Sequence, residues 1–207
     1  MDFIGDTILV IGAHSDDAEI SMGGTISKFL KENKRVVIAI YALSTPLSTR
    51  QKEAEKGAGI LGAELRFMSY DSRQVSDVHM KDIVSDIDNL ISDIKPSTIF
   101  THNSGDFHLD HRMLNEAVHS SSRKGTFNLI HFENSSLCAI PLNKFSPNFY
   151  VDITNYFENK IEAIKAHTSQ INIQNLLNDY KIRASYHGAT INTKYAEAFL
   201  VSKLICI

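Results

Sequence analysis

The chain has 207 residues, enough for one domain with a two- or three-layer core. Hydrophobic residues make up 43% and charged residues 22%, ordinary globular proportions that argue against disorder. A formal net charge of −3, with no long like-charge run, excludes a broad basic field for nucleic acid or an anionic membrane.

The first element is the apolar run Thr7 to Ala13, which reads as a strand buried on both faces. Helix signals follow Gly23-Gly24, with Ile26, Phe29 and Leu30 at helical spacing. A strand at Arg35 to Ala42, a helix from Ser48 to Leu61 and a strand at Glu64 to Met68 come next. Met80 to Ile94 forms a long amphipathic helix, Ser97 to His102 a fourth strand, and Arg112 to Ser121 the helix after it. This alternation predicts an α/β fold, a Rossmann-like three-layer sandwich with a mostly parallel sheet. Beyond Gly125 the pattern gives strands at Phe127 to Phe132 and Phe149 to Ile153, then helices at Asn155 to His167 and Ile171 to Tyr186. A last strand runs from Ala196 to Leu204. No linker or repeat interrupts the chain, so residues 1–207 read as one domain.

Cys138 and Cys206 lie outside any C-x-x-C spacing and read as thiols. The Thr7 to Ala13 stretch is too short for a secretory signal, and no run approaches the roughly 18 apolar residues that span a bilayer. A cytoplasmic protein without membrane insertion is expected; self-association is left open.

In a doubly wound sheet the first and fourth strands are neighbours, and ligands bind in the crevice beyond their C-terminal ends. Two polar clusters fall there: His14-Ser15-Asp16-Asp17-Ala18-Glu19 after strand one, and Asp106-Phe107-His108-Leu109-Asp110-His111 after strand four. An imidazole and a carboxylate from one loop, with an imidazole from its neighbour, make the donor set of a catalytic zinc. A second carboxylate and a second imidazole remain for proton transfer and oxyanion stabilisation. Each cluster alone also reads as helix capping, by Asp16 or Asp17 in the first and by Asp110 in the second. A dinucleotide site is disfavoured, because the first loop lacks G-x-G-x-x-G and carries two adjacent acids. Gly23 and Gly24 read as allowing close approach of the helix start to the sheet.

These residues resemble the PIG-L/LmbE-like zinc-dependent N-acetylglucosaminyl deacetylases. The resemblance rests on Ala13-His14-Ser15-Asp16-Asp17-Ala18-Glu19, Gly23-Gly24-Thr25 and His108-Leu109-Asp110-His111. Arg50, Glu53, Leu61-Gly62, Ser169-Gln170 and Tyr195-Ala196-Glu197-Ala198-Phe199 extend it across nearly the whole chain. It implies zinc ligation by His14, Asp17 and His111, with Asp16 as general base and then acid. His108 would polarise the carbonyl, and Asp110 would orient a histidine. Arg50 would bind substrate hydroxyls or an acid group; on the residues alone it reads equally as a solvated arginine on the first turn of a helix. Asp106, just after Gly105, reads as a partner of His108 or of a sugar hydroxyl, or as a residue that shapes the turn. Ser15 stands where the family has proline, which predicts a looser ligand loop.

The expected reaction is hydrolysis of the N-acetyl amide of a small amino sugar or its conjugate. Alternatives are an N-acylated nucleotide sugar or antibiotic intermediate as substrate, or a non-catalytic sugar-binding protein that keeps the metal. Specificity is expected from the loops near Thr45 to Thr49, Asp71 to Val78 and Ser135 to Pro147. Of the other histidines, His102 reads as a hydrogen-bonded residue near the core and His167 as a helix-end residue.

Overall fold

The structure, a computed structural model, describes residues 2–43, 47–68, 74–133, 141–170 and 173–205. Cys138, Cys206 and parts of the three expected specificity loops lie outside these residues. Seven strands form one sheet: β1 (Thr7–Gly12), β2 (Arg35–Ile40), β3 (Glu64–Phe67), β4 (Thr98–Thr101), β5 (Asn128–Phe132), β6 (Phe149–Asp152) and β7 (Ala196–Lys203). Their order is β3-β2-β1-β4-β5-β7-β6. β1 to β5 pair in parallel with one another, whereas β7 runs antiparallel to both β5 and β6. β1 and β4 pair directly, from Ile8 opposite Thr98 to Ile11 opposite Thr101. The order reverses there, so the crevice opens at the ends of these two strands.

Six helices complete the layers: α1 (Asp17–Lys31), α2 (Leu47–Leu61), α3 (Met80–Ile94), α4 (Leu109–Ser121), α5 (Phe157–Lys165) and α6 (Ile173–Thr190). Alternate residues of the central strands feed two cores. Ile8, Val10 and Phe100 pack with α1, α2, α5 and α6, while Leu9, Ile11 and Ile99 pack with α3 and α4. Full burial of these strands on both faces explains their unbroken apolar sequences.

Two helices begin earlier than the apolar spacing predicts, and both early turns carry the polar motifs. α1 starts at Asp17 rather than after Gly24, and α4 at Leu109 rather than Arg112. At α4 the cap is the His108 ring, whose Nδ1 accepts the Asp110 N–H at 3.2 Å. α1 is interrupted at Met22, where φ is −147° and ψ is 24°. The expected close approach of the glycines is to α5 and the end of β6: a Cβ on Gly24 would lie 2.8 Å from Ile153, and one on Gly23 would lie 3.3 Å from Lys160. No described helix is long and apolar enough to cross a membrane.

Candidate active site

The turn after β1 and the first turn of α4 bring His14, Asp17 and His111 together. His14 Nδ1 lies 3.2 Å from His111 Nε2 and 3.7 Å from Asp17 Oδ2, and His111 Nε2 lies 3.4 Å from Asp17 Oδ1. Ligands bonded to zinc at about 2.0–2.2 Å stand about 3.3–3.6 Å apart along the edges of a tetrahedron. The two ring nitrogens and the Asp17 carboxylate, reached at Oδ2 by His14 and at Oδ1 by His111, are thus within the span that one metal ion bridges.

The outer nitrogens decide what the inner ones are. His14 Nε2 lies 3.1 Å from Asp110 Oδ2, and His111 Nδ1 lies 2.9 Å from Asp106 Oδ2. Each carboxylate accepts a ring N–H, which assigns the proton to the outer nitrogen and a lone pair to the inner one. In those neutral tautomers two imidazole lone pairs and a carboxylate converge. Such a set repels itself unless a cation is bound, so the donors fit a metal ion.

The electrostatics point the same way. Burial lowers the His14 and His111 pKa values, but the bond to Asp110 and the charges of Asp17 and Asp106 outweigh it and hold both above the usual imidazole range. Burial likewise works against the Asp17 carboxylate, yet His111, His102 and His14 hold its pKa well below the ordinary range. An enclosure that draws protons onto its histidines and keeps its carboxylate ionised attracts positive charge.

His102 closes the site from below. Its Nε2 accepts the Ala13 N–H at 3.0 Å and lies 3.1 Å from Asp17 Oδ2, while the ring stacks on His111 at 3.8 Å. Burial pushes its pKa down to about 4, so the ring is neutral and acts as the expected packed core residue. His108 is half-buried, edge-on to His14 and stacked on His111. Burial, with His111 and His14 nearby, holds its pKa below the usual value. Because Nδ1 accepts from the backbone, the neutral ring carries its proton on Nε2.

Asp106 and Arg50 are both buried in polar pairings. Asp106 is 1% exposed, and its oxygens accept from the His111 ring and from the His108 N–H at 2.9 Å. It thus supports both histidines, the bond to His108 being one of the expected ones. Arg50 is 3% exposed, with Nη2 3.3 Å from Asp16 Oδ1 and Nη1 3.0 Å from Glu53 Oε2. Glu53 in turn accepts the Ser169 N–H at 2.6 Å, the Ser169 hydroxyl at 2.7 Å and the Thr168 hydroxyl at 3.0 Å. The guanidinium thus faces Asp16 and Glu53 in place of the expected substrate group.

Asp110 shows a link the sequence leaves unmarked. Its second oxygen accepts the Ser76 N–H at 3.0 Å, tying the turn Val75–Asp77 to His14. Ser15 is 2% exposed, and its hydroxyl finds no partner among the described residues. Among the remaining motif residues, Glu19 is buried against His167, Oε1 to Nε2 at 3.4 Å; the expected helix-end histidine is an interior one.

Residues 9–122 match the family PIG-L, GlcNAc-PI de-N-acetylase. Among curated relatives, a probable N-acetyl-α-D-glucosaminyl L-malate deacetylase 2 of Bacillus anthracis is 24% identical over 79% of this chain and 80% of its own. The diacetylchitobiose deacetylase of Thermococcus kodakarensis is 25% identical over 92% of this chain and 80% of its own. Among solved structures, the N,N'-diacetylchitobiose deacetylase of Pyrococcus horikoshii superposes with a TM-score of 0.80 at 21% identity, covering 95% of this chain and 83% of that one. GalB, the 4-carboxy-2-hydroxymuconate hydratase of Pseudomonas putida KT2440, superposes with a TM-score of 0.79 at 18% identity over 98% of both chains. A fold shared with a hydratase does not select a reaction. The family match does, since it spans more than half of the chain: the protein belongs to the PIG-L, GlcNAc-PI de-N-acetylase, family of amide hydrolases.

Proposed function

We propose that the protein removes the acetyl group from an N-acetylated amino sugar or its conjugate, with zinc held by His14, Asp17 and His111. The observation that carries this reading is the convergence of the inner ring nitrogens of His14 and His111 on Asp17, each ring held from outside by a carboxylate. A nitrogen, nitrogen and oxygen donor set of these dimensions suits zinc and leaves a fourth position open. The named substrates of the Bacillus and Thermococcus relatives share an N-acetyl amino sugar, which supports the substrate class.

When bound, the ion supplies Lewis acidity, which lowers the pKa of water and polarises a carbonyl. Asp16 takes the proton of the attacking water and returns it to the departing nitrogen, so that acetate and a free amine result. Arg50, 3.3 Å from one Asp16 oxygen, holds that carboxylate in place. His108 donates from Nε2 to the carbonyl oxygen as negative charge develops on it. Asp110 and Asp106 keep the His14 and His111 rings in their tautomers.

Acetate release, scored across N-acetylglucosamine, chitobiose-type disaccharides, nucleotide sugars and glycosylated antibiotics, tests the reading and separates the substrates. Asp16→Ala is expected to retain stoichiometric zinc and lose at least 100-fold in turnover, of the order ascribed to general acid-base catalysis, ~10²–10⁴. His111→Ala is expected to lose both. A fully active Asp16→Ala protein would remove the assigned base, and a zinc-loaded parent that frees no acetate from any of these amides would remove the deacetylase reading.

A further inference from the structure

The motifs Gly23-Gly24-Thr25 and Tyr195 to Phe199 lie far apart in sequence and have no part in the chemistry above, yet they meet. In an unbroken helix the Gly24 and Thr25 N–H groups would bond to the Ile20 and Ser21 carbonyls. The break at Met22 turns them outward, where they donate to the two oxygens of Glu197 at 3.1 and 2.7 Å. The Ile20 carbonyl is taken instead by Lys160 Nζ at 2.7 Å, and Lys160 pairs with Glu197 at 2.5 Å. The ammonium sits at the negative end of the first helical segment and the carboxylate at the positive end of the second. One buried ion pair therefore caps both segments at the break, with each partner 4% exposed.

The first segment is little more than one turn, and it starts at Asp17 directly after Asp16. So short a helix has almost no stability of its own, and its direction follows from what holds its ends. We infer that Lys160 and Glu197 are a positioning pair that fixes the angle of the α1 break and so aims Asp16 and Asp17 at the metal position. This rests on the reading of Asp17 as a ligand.

The decisive variant is the double change Lys160→Met with Glu197→Leu, which leaves neither partner as a lone buried charge and releases the Gly24 and Thr25 N–H groups and the Ile20 carbonyl. Glu197→Gln, which retains shape and one acceptor oxygen, is the second. Zinc affinity is read by competition with a chromophoric chelator at a temperature where every variant is folded. Amide exchange is read in the metal-free protein. Expected results are zinc binding about 10-fold or more weaker, the scale of losing a supporting partner of a metal ligand. The Gly24 and Thr25 amides should exchange faster, while those of β1 and β4 stay unchanged, and kcat should fall with KM held. A merely structural pair would lower the melting temperature alone. Parent-like zinc affinity and kcat in both variants overturn the inference. A parent that takes up no zinc overturns the ligand reading, and this inference with it.

Discussion

Replacing Asp106 by Asn tests whether the outer carboxylates set the histidine tautomers. The carboxylate accepts at both oxygens, from the His111 Nδ1–H and from the His108 backbone N–H, each at 2.9 Å. An amide has one oxygen and one NH₂, so it satisfies only one of the two donors. If the oxygen faces His108, the NH₂ meets Nδ1 of His111 and drives the ring proton to Nε2, which removes the lone pair offered to the metal. If the oxygen faces His111, the NH₂ opposes the His108 N–H and leaves a buried donor unpaired, at a cost of about 1–3 kcal/mol. Zinc affinity is therefore expected to fall about 10–100-fold. In a chain of this size each lost kcal/mol lowers the melting temperature by about 2–4 °C. Chelator competition and thermal unfolding of the metal-free protein read the two effects separately. Were Asp106 a sugar ligand instead, Asp106→Asn would raise KM and leave zinc binding alone; that pattern would refute the tautomer argument.

Arg50→Met is expected to lower kcat by about 10-fold or more with KM nearly unchanged, because the guanidinium faces Asp16 and not the crevice. A raised KM at constant kcat would return Arg50 to substrate binding. His131 gives the pH prediction. Burial pushes its pKa down to about 4, against about 6.5 in an unfolded chain. Between these values the unfolded state binds the extra proton, so stability is fully present above about pH 6.5 and is lost as pH falls toward 4. The loss is on the order of 3 kcal/mol for this one group. His131→Leu also forfeits the bond to the His102 carbonyl at 2.8 Å and should be less stable at every pH. Its stability should nonetheless fall less steeply through that window, by roughly one proton in denaturant titrations. An unchanged slope would mean that His131 is not the group held neutral.

The central strands and the crevice were legible because burial on both faces writes itself into a strand as a largely apolar run. From Thr7 to Gly12 and from Thr98 to Thr101 the sequence has no other use for such residues, and the adjacency of β1 and β4 follows from the doubly wound pattern. The starts of α1 and α4 were not legible for a related reason. Apolar spacing marks where a helix touches the core, whereas these two first turns face the crevice and are held by polar contacts. At α4 the cap is an imidazole, which carries no sequence signature as serine or aspartate would. The same limit governs the site: motif spacing identifies which carboxylates arrive, but not which donors each of their oxygens accepts. That Asp110 orients His14 in particular, that Asp106 holds His111 and that Arg50 meets Asp16 emerge only from that pairing. Lys160 is the instructive exception. It stands in line with Phe157, Ile161 and Ile164 on the apolar stripe of α5, and a cation in that register must be paired to be buried. Its partner had to be an acid on another buried element, and Glu197, flanked by Ala196 and Ala198 on β7, is such a residue.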